Sequence, residues 1–117
     1  QQVQHWLTDI DATSFCQHCQ QPQLRPHIVW FGEMPLQMDS IYSALSQCGL
    51  FISIGTSGQV YPAAGFVEIA NEAGAHSVEI NLEPSHGQGA FAEHHHGQAS
   101  IELPKYLQQL LMKQANP

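Results

Sequence analysis

Positive charge is nearly absent from this sequence of 117 residues. Only Arg25, Lys105 and Lys113 are basic, whereas ten residues are acidic, so the formal net charge is −7 at pH 7. Binding to a nucleic-acid backbone or to an anionic membrane surface needs clustered lysine and arginine side chains. The composition therefore predicts a protein that binds neither nucleic acid nor membrane.

Long apolar runs are also absent, and cysteine is scarce. No run approaches the roughly 20 apolar residues of a membrane span, and the N-terminus lacks the basic and apolar regions of a signal peptide. The three cysteines do not make a disulfide framework, so we expect a reducing, cytoplasmic setting. The sequence does not begin with methionine, which suggests a piece of a longer protein.

What the sequence does contain is an alternation of strand and helix patterns. Continuous apolar runs predict strands, and apolar residues at helical spacing predict helices. The predicted strands are 27–31, 50–56, 76–83 and 100–104, and the predicted helices are 38–49, 62–74 and 104–114. Strands separated by helices favour an α/β fold with a parallel sheet. The glycine- and histidine-rich segment 84–97 is predicted to be a mobile loop.

Polar and glycine residues follow two of the predicted strands, where open parallel sheets bind ligands. Gly55, Thr56, Ser57 and Gly58 offer close backbone approach and two hydroxyls for phosphate or ribose oxygens. An ordinary turn between a strand and a helix explains these residues about equally well. Asn81 is suited to hydrogen-bonding ribose hydroxyls, although a turn or cap explains it more simply.

Two groups of residues have the chemistry of metal ligands. Cys16 and Cys19 have C-x-x-C spacing, but tetrahedral zinc needs four ligands, so the pair alone provides half a zinc site. The histidine run 94–96 is suited to opportunistic metal binding, and a solvated loop is the interpretation that we favour for it. Cys48 follows a helical pattern and is interpreted as a small buried hydrophobe.

The segment PHIVWFGEMP, residues 26–35, ends an apolar run with a glycine and a carboxylate, which strand packing alone does not require. Together with the C-x-x-C pair and the segments FISIGTSGQVYPAAGF, VEINLEPS and ASIELP, it resembles the sirtuins, the NAD-dependent protein deacylases. The resemblance is closest to bacterial members that favour succinyl- and acetyl-lysine. It implies a Rossmann-like NAD-binding domain over residues 27–117, preceded by part of a small zinc-binding module over residues 1–26.

The resemblance also implies roles for particular residues. Contacts with an acyl-lysine peptide, which adds a strand to the enzyme, are implied for Val29, Phe31, Gly32 and Glu33. Contacts with NAD are implied for Gly55, Thr56, Ser57, Asn81, Leu82, Glu83 and Ala99. Ligation of a structural zinc ion is implied for Cys16 and Cys19.

The sequence departs from the family pattern by omission. It contains no G-A-G-I-S motif, no Q-N-I-D segment and no H-G segment with the general-base histidine. The chain therefore resembles the C-terminal half of an enzyme that transfers an acyl group to ADP-ribose. We expect it to be inactive alone, with acyl-lysine proteins and the missing N-terminal half as partners.

Two other functions stay open: a non-catalytic nucleotide-binding α/β module, and a metal-binding adaptor built on the cysteine pair and the histidine run. The resemblance also places the strand that contains Phe51, Ile52 and Ile54 beside a strand of the missing half. An apolar strand without its neighbour is a template for pairing with another chain. We therefore expect self-association through this open sheet edge, in preference to repacking of the 27–31 strand against it or a retained N-terminal fragment that fills the gap.

Overall fold

The computed structural model describes residues 3–115. The chain divides into two compact units, residues 1–36 and residues 37–117. This division follows Leu36, whereas the sequence places the boundary between a zinc module and an NAD-binding domain after residue 26. That functional boundary stays a prediction.

The described part of the first unit contains turns and extended segments, but neither a helix nor a strand. The prediction of a strand at 27–31 is wrong, because the segment forms no strand. All of its apolar side chains are exposed, and Phe31 is 95% exposed. An apolar run becomes a strand only where another strand is available to pair with it. Residues 3–36 provide none, and an ion pair between Arg25 and Glu33 closes the segment into a turn instead.

The second unit alternates helices and strands as predicted. Its elements are α1 (Met38–Leu45), β1 (Leu50–Ile54), a 3-10 turn (Ala63–Gly65), α2 (Phe66–Glu72), β2 (His76–Asn81), a second 3-10 turn (Gln88–Ala90), β3 (Glu93–His96) and α3 (Ala99–Ala115). The helices predicted at 38–49 and 62–74 and the strands predicted at 50–56 and 76–83 are confirmed, with shorter bounds. No helix in the described part of the chain has the length and apolar composition needed to cross a bilayer.

The three strands form a parallel sheet in the order β1-β2-β3, which confirms the predicted α/β class. The central strand β2 is buried from Ser77 to Asn81. On one face of the sheet, its Val78 and Ile80 pack with Tyr106 of α3. Ser77, Glu79 and Asn81 alternate with these residues and therefore lie on the opposite face, where they too are buried.

Two segments near the C-terminus differ from the prediction. Residues 100–104, predicted as a strand, belong to α3, because Leu103, Tyr106 and Leu110 recur at helical spacing and share one core. Pro104 lies inside this helix at the cost of one main-chain hydrogen bond. Residues 93–96, predicted as part of a loop, form β3. The sequence EHHH lacks the alternation of apolar and polar residues by which a strand is predicted. Main-chain pairing with β2 makes this segment a strand.

Candidate functional site

The ends of β1 and β2 are joined by one buried amide side chain. Asn81, the last residue of β2, is 6% exposed. Its Oδ1 accepts a hydrogen bond from the Thr56 N–H at 2.9 Å, and its Nδ2 donates to the Thr56 carbonyl at 2.7 Å. The Gly55 N–H donates to the Ile80 carbonyl at 3.0 Å. The loop after β1 is thus held on the end of β2 through both main-chain and side-chain groups.

The loop after β1 also contacts the segment that follows β2. The Gly58 N–H donates to Thr56 Oγ1 at 3.2 Å, and the Ser57 carbonyl accepts from the His86 N–H at 3.1 Å. Gly58 has a φ of +68°, and a Cβ there would lie 3.3 Å from the Gly87 nitrogen. Glycine is therefore favoured at this position both by the backbone conformation and by the close approach.

Several groups at this end of the sheet face outward. Among the residues implied for NAD contact, the exposed ones are Gly55, Thr56, Ser57, Leu82 and Glu83. Gly55 has a φ of +64°, and the space that a Cβ would enter is open. Ser85 differs, because its Oγ is buried without a hydrogen-bond partner among the described residues. A buried hydroxyl of this kind is usually satisfied by a further polar group.

The start of α3 lies at the same end of the sheet. The Gly97 N–H donates to the Asn81 carbonyl at 2.9 Å, and the Gln98 carbonyl accepts the first hydrogen bonds of the helix. Ala99, the first residue of α3, packs partly against the core. The segments 55–58, 81–85 and 97–99 therefore meet at the carboxyl end of the parallel sheet, which is where such sheets bind nucleotides.

The four residues implied for substrate contact lie in the first unit. Val29 and Phe31 are exposed, and Gly32 has a φ of +83°. Glu33 accepts two hydrogen bonds from the Arg25 guanidinium, at 2.6 and 2.7 Å, and a third from the Trp30 N–H at 3.1 Å.

These bonds, the Arg25 bonds above all, lower the pKa of Glu33 to about 2. Hydrogen bonds to the ionised form of a carboxyl favour that form. The Glu33 carboxylate therefore fixes the turn at residues 30–33.

Cys16 and Cys19 are free thiols within one turn. Hydrogen bonds from the main-chain N–H groups of Cys19 and His18 lower the pKa of the Cys16 thiol, which favours the metal-binding thiolate. Within residues 3–115, neither cysteine belongs to a cluster of three or more potential metal ligands. The described chain thus brings two of the four ligands that structural zinc requires.

Comparison with known proteins agrees with the fold. Residues 1–62 match the sequence model of the Sir2 family. The chain belongs to the Sir2 family. One relative, the NAD-dependent protein deacylase of Vibrio cholerae serotype O1, is 59% identical over 108 residues, which are 92% of this chain and 44% of the relative.

Two solved structures of Sir2 proteins share the fold. Sir2Af2 bound to a myristoylated histone peptide is 30% identical, with a TM-score of 0.75 over 89% of this chain and 45% of that structure. A Sir2 homologue in complex with ADP-ribose is 25% identical, with a TM-score of 0.80 over 89% of this chain and 42% of that structure. The predicted Rossmann-like fold is confirmed, and the chain spans less than half the length of each of these proteins.

In this Sir2 chain, the seven residues implied for NAD contact lie in the segments that meet at the sheet end. Sequence reasoning missed two residues there, Ser85 and Gly97. Ser85 is the last residue of the NLEPS segment, and Gly97 precedes Ala99 by two residues. Both residues therefore belong to or adjoin motifs that the resemblance identifies. Their roles depend on burial and on main-chain contacts, which no spacing in the sequence shows.

Proposed function

We propose that this chain carries the adenosine side of an NAD site and an acyl-lysine peptide surface of an NAD-dependent protein-lysine deacylase. The name of the Vibrio cholerae relative supports the reaction of the whole protein, which we take to be deacetylation and desuccinylation with transfer of the acyl group to ADP-ribose. The observation that carries the proposal is the meeting of three loop segments around Asn81.

The residues at the sheet end fit a dinucleotide. Gly55 leaves open space for close approach, and the exposed hydroxyls of Thr56 and Ser57 are suited to ribose and phosphate oxygens. The Ser85 hydroxyl, which has no hydrogen-bond partner in the described part of the chain, adds a buried polar atom at the same place. NAD would supply the ADP-ribose that accepts the acyl group, and the chain's own part is to bind and orient the adenosine end. Asn81 serves mainly to position the loop, because both of its amide atoms bond Thr56.

The first unit supports peptide binding through exposure rather than through a formed strand. Val29 and Phe31 present apolar side chains next to Gly32, and an extended peptide is able to dock on such a segment by main-chain pairing. Glu33 contributes by holding the turn together with Arg25. We propose that the acyl-lysine peptide pairs with the main chain of residues 29–33 while Glu33 and Arg25 hold the turn.

Zinc fits this chain only in part. Cys16 and Cys19 provide two thiolates, and we propose that they are two ligands of a shared site that other residues of the whole protein complete. Elemental analysis of the purified chain should then show less than one zinc ion retained per monomer by these thiols. Full occupancy that Cys16→Ser abolishes in a proven monomer would contradict this proposal.

ADP-ribose binding by isothermal titration tests the nucleotide site directly. Gly55→Ala should weaken binding at least about tenfold, because the new methyl group enters the open space beside the loop. Gly74→Ala is the matched control, since Gly74 also has a positive φ and open space but precedes β2 at the opposite end of the sheet. Both changes carry a similar conformational cost. Equal affinities of the two variants, or no binding by the folded wild-type chain, would refute the proposal.

Activity assays test the proposed inactivity of the isolated chain, and peptide binding separates part of a deacylase from a non-catalytic nucleotide-binding module. We propose that the chain alone lacks the general base, a contribution usually worth about 10²–10⁴-fold in rate. Assays of acetyl- and succinyl-lysine peptides with NAD should show no turnover. Turnover that Gly55→Trp abolishes would disprove the proposed inactivity. ADP-ribose binding without any response to acyl-lysine peptide would favour the module.

We also propose self-association through β1. Within the described residues, β1 pairs with β2 on one side only, and its Leu50 and Ile54 are partly exposed. Light scattering over a range of concentrations should show a mass that rises with concentration. A protein that stays monomeric at every concentration, and whose main-chain amides at residues 50–54 exchange hydrogen freely with solvent, would contradict self-association.

A further inference from the structure

Two histidines and a carboxylate form a cluster that the proposed NAD and peptide contacts do not use. The register of β2 and β3 sets Glu79 beside His94, and His96 lies two residues further along β3 on the same face. His95 lies on the other face, with its ring centroid 5.1 Å from that of Tyr106. The histidine run is therefore divided between the two faces of the sheet.

The distances in this cluster suit one metal ion. Glu79 Oε2 lies 3.3 Å from His94 Nδ1 and 3.9 Å from His96 Nε2, and one ligand atom from each residue falls within 4.8 Å of the others. Ligand atoms bound tetrahedrally at about 2.1 Å from zinc are separated by about 3.4 Å. Small side-chain rotations would therefore bring the three groups to bonding distance.

The burial of Glu79 gives an independent reason for a cation here. Its side chain is 0% exposed, and in the part of the chain that the structure describes no lysine or arginine pairs with it. Arg25 pairs with Glu33 and Lys105 with Glu102. Buried carboxylates are normally paired with a positive charge or coordinate a metal. The two imidazoles are the nearby groups that are able to do either.

The surroundings of the cluster resemble those of a metal site. Asn81 Nδ2 donates to Glu79 Oε1 at 3.4 Å, whereas the two histidine distances above are to Oε2, so the Asn81 amide would orient the carboxylate. The Phe91 ring lies edge-on to the His94 ring at 6.2 Å and provides an apolar wall. The side chains of His94 and His96 are 26% and 37% exposed, so an ion is able to enter from solvent.

We propose that Glu79, His94 and His96 form a binding site for one divalent transition-metal ion of the zinc class. Two imidazole nitrogens and one carboxylate oxygen are ligands that zinc accepts, and three protein ligands leave at least one position for water. The ion would cross-link β2 to β3 and neutralise the buried carboxylate. These three ligands belong to the second unit, whereas the cysteine pair belongs to the first.

Zinc titration of the full 117-residue chain carrying Cys16→Ser and Cys19→Ser tests the proposal, because that background removes binding by the thiol pair. We expect one Zn²⁺ per chain by calorimetry, with shifts of the His94 and His96 ring nitrogens in ¹⁵N spectra. Changes in outer-shell residues alone cost about 10–100-fold in metal affinity. Loss of a ligand in His94→Gln, His96→Gln or Glu79→Gln should therefore weaken binding at least tenfold.

His95→Gln is the matched control, because it removes a histidine from the same run on the opposite face of the sheet. Zinc affinity should change less than about threefold in this variant. His96→Gln alters a partly exposed side chain and keeps the test informative if Glu79→Gln fails to fold. Equal loss in His95→Gln and His96→Gln would show chelation by an unstructured histidine run and would overturn the site. Absence of zinc binding by the folded background chain would overturn it as well.

Discussion

The two compact units differ in what holds their backbones in place. In the described part of the first unit, residues 3–36, Ser14 is the one buried residue, and large side chains such as Leu7, Phe31 and Met34 are exposed. The second unit buries Val78 and Ile80 in the middle of a parallel sheet. Apolar burial thus stabilises the second unit, whereas the first relies on turns and on polar bonds.

This contrast explains which of the proposed contact segments are preformed. The segments proposed to contact NAD lie on a sheet whose core fixes them, and the Asn81 amide is positioned by its bonds to Thr56. The acyl-peptide segment 29–33 and the Cys16–Cys19 turn lack such support, so the contacts proposed for them depend on partners. We therefore expect core substitutions to destabilise the second unit more than the first, and pH to act on the first unit through Glu33.

The strongest contrast is expected from deleting one apolar side chain in each unit. Ile80→Ala should lower the free energy of unfolding of the second unit by about 2–5 kcal/mol, because a fully buried side chain leaves a cavity. Phe31→Ala is the comparison, since it removes a larger side chain that is almost wholly exposed and should change stability by less than about 0.5 kcal/mol. Urea unfolding followed by circular dichroism measures both. Equal effects would show that the units do not differ in this way.

A smaller effect is expected from the amide that joins the strand ends. Asn81→Ala should cost about 1–3 kcal/mol, because Thr56 loses two hydrogen bonds and Glu79 loses a neighbouring donor. Hydrogen exchange should also quicken at the Thr56 amide. Asn71→Ala, which removes one exposed bond to the Ala90 carbonyl, is the control and should cost less. An unchanged Thr56 amide in Asn81→Ala would contradict the positioning role.

The accuracy of secondary-structure prediction from the sequence also differs between the two units. In the second unit, apolar periodicity located α1, β1, α2 and β2, because burial in a core is what the pattern records. The same reasoning failed at 27–31, where the apolar side chains are exposed. An apolar run indicates that burial would be favourable, but it does not show whether a partner strand is present to bury it. β3 was missed for the opposite reason, because main-chain pairing with β2 defines it and its side chains are polar.

The candidate site was predicted through motifs rather than through periodicity. The motifs located Gly55, Thr56 and Asn81, and the structure brings them together. The sequence could not show that both amide atoms of Asn81 bond Thr56. Nor could it show that the Ser85 hydroxyl is buried without a hydrogen-bond partner among residues 3–115. Nor could it show that His94 and His96 share a face with Glu79. The shared face depends on strand register, and the contacts of Asn81 and Ser85 depend on tertiary packing, and only the folded chain defines either.

The smallest effect is expected when the Glu33 carboxylate, which holds the turn at residues 30–33, is protonated. Arg25 and the Trp30 N–H lower the pKa of Glu33 to about 2. Because the folded pKa lies below the usual value of 4.5, the stabilisation of the turn is fully present above about pH 4.5. It declines as the pH falls and is lost once the pH passes through about 2.

A carboxyl ¹³C titration of Glu33 measures this pKa directly. Arg25→Gln should return the pKa toward 4.5, because the largest cause of the shift is removed, and the turn should loosen at neutral pH. Lys105→Gln removes the same charge from an exposed ion pair in the other unit and should leave the Glu33 titration unchanged. If Glu33 of the wild-type chain titrates near 4.5, the ion pair does not persist in solution. The first unit would then lack the strongest polar bond assigned to it, and the contrast with the second unit would be even sharper.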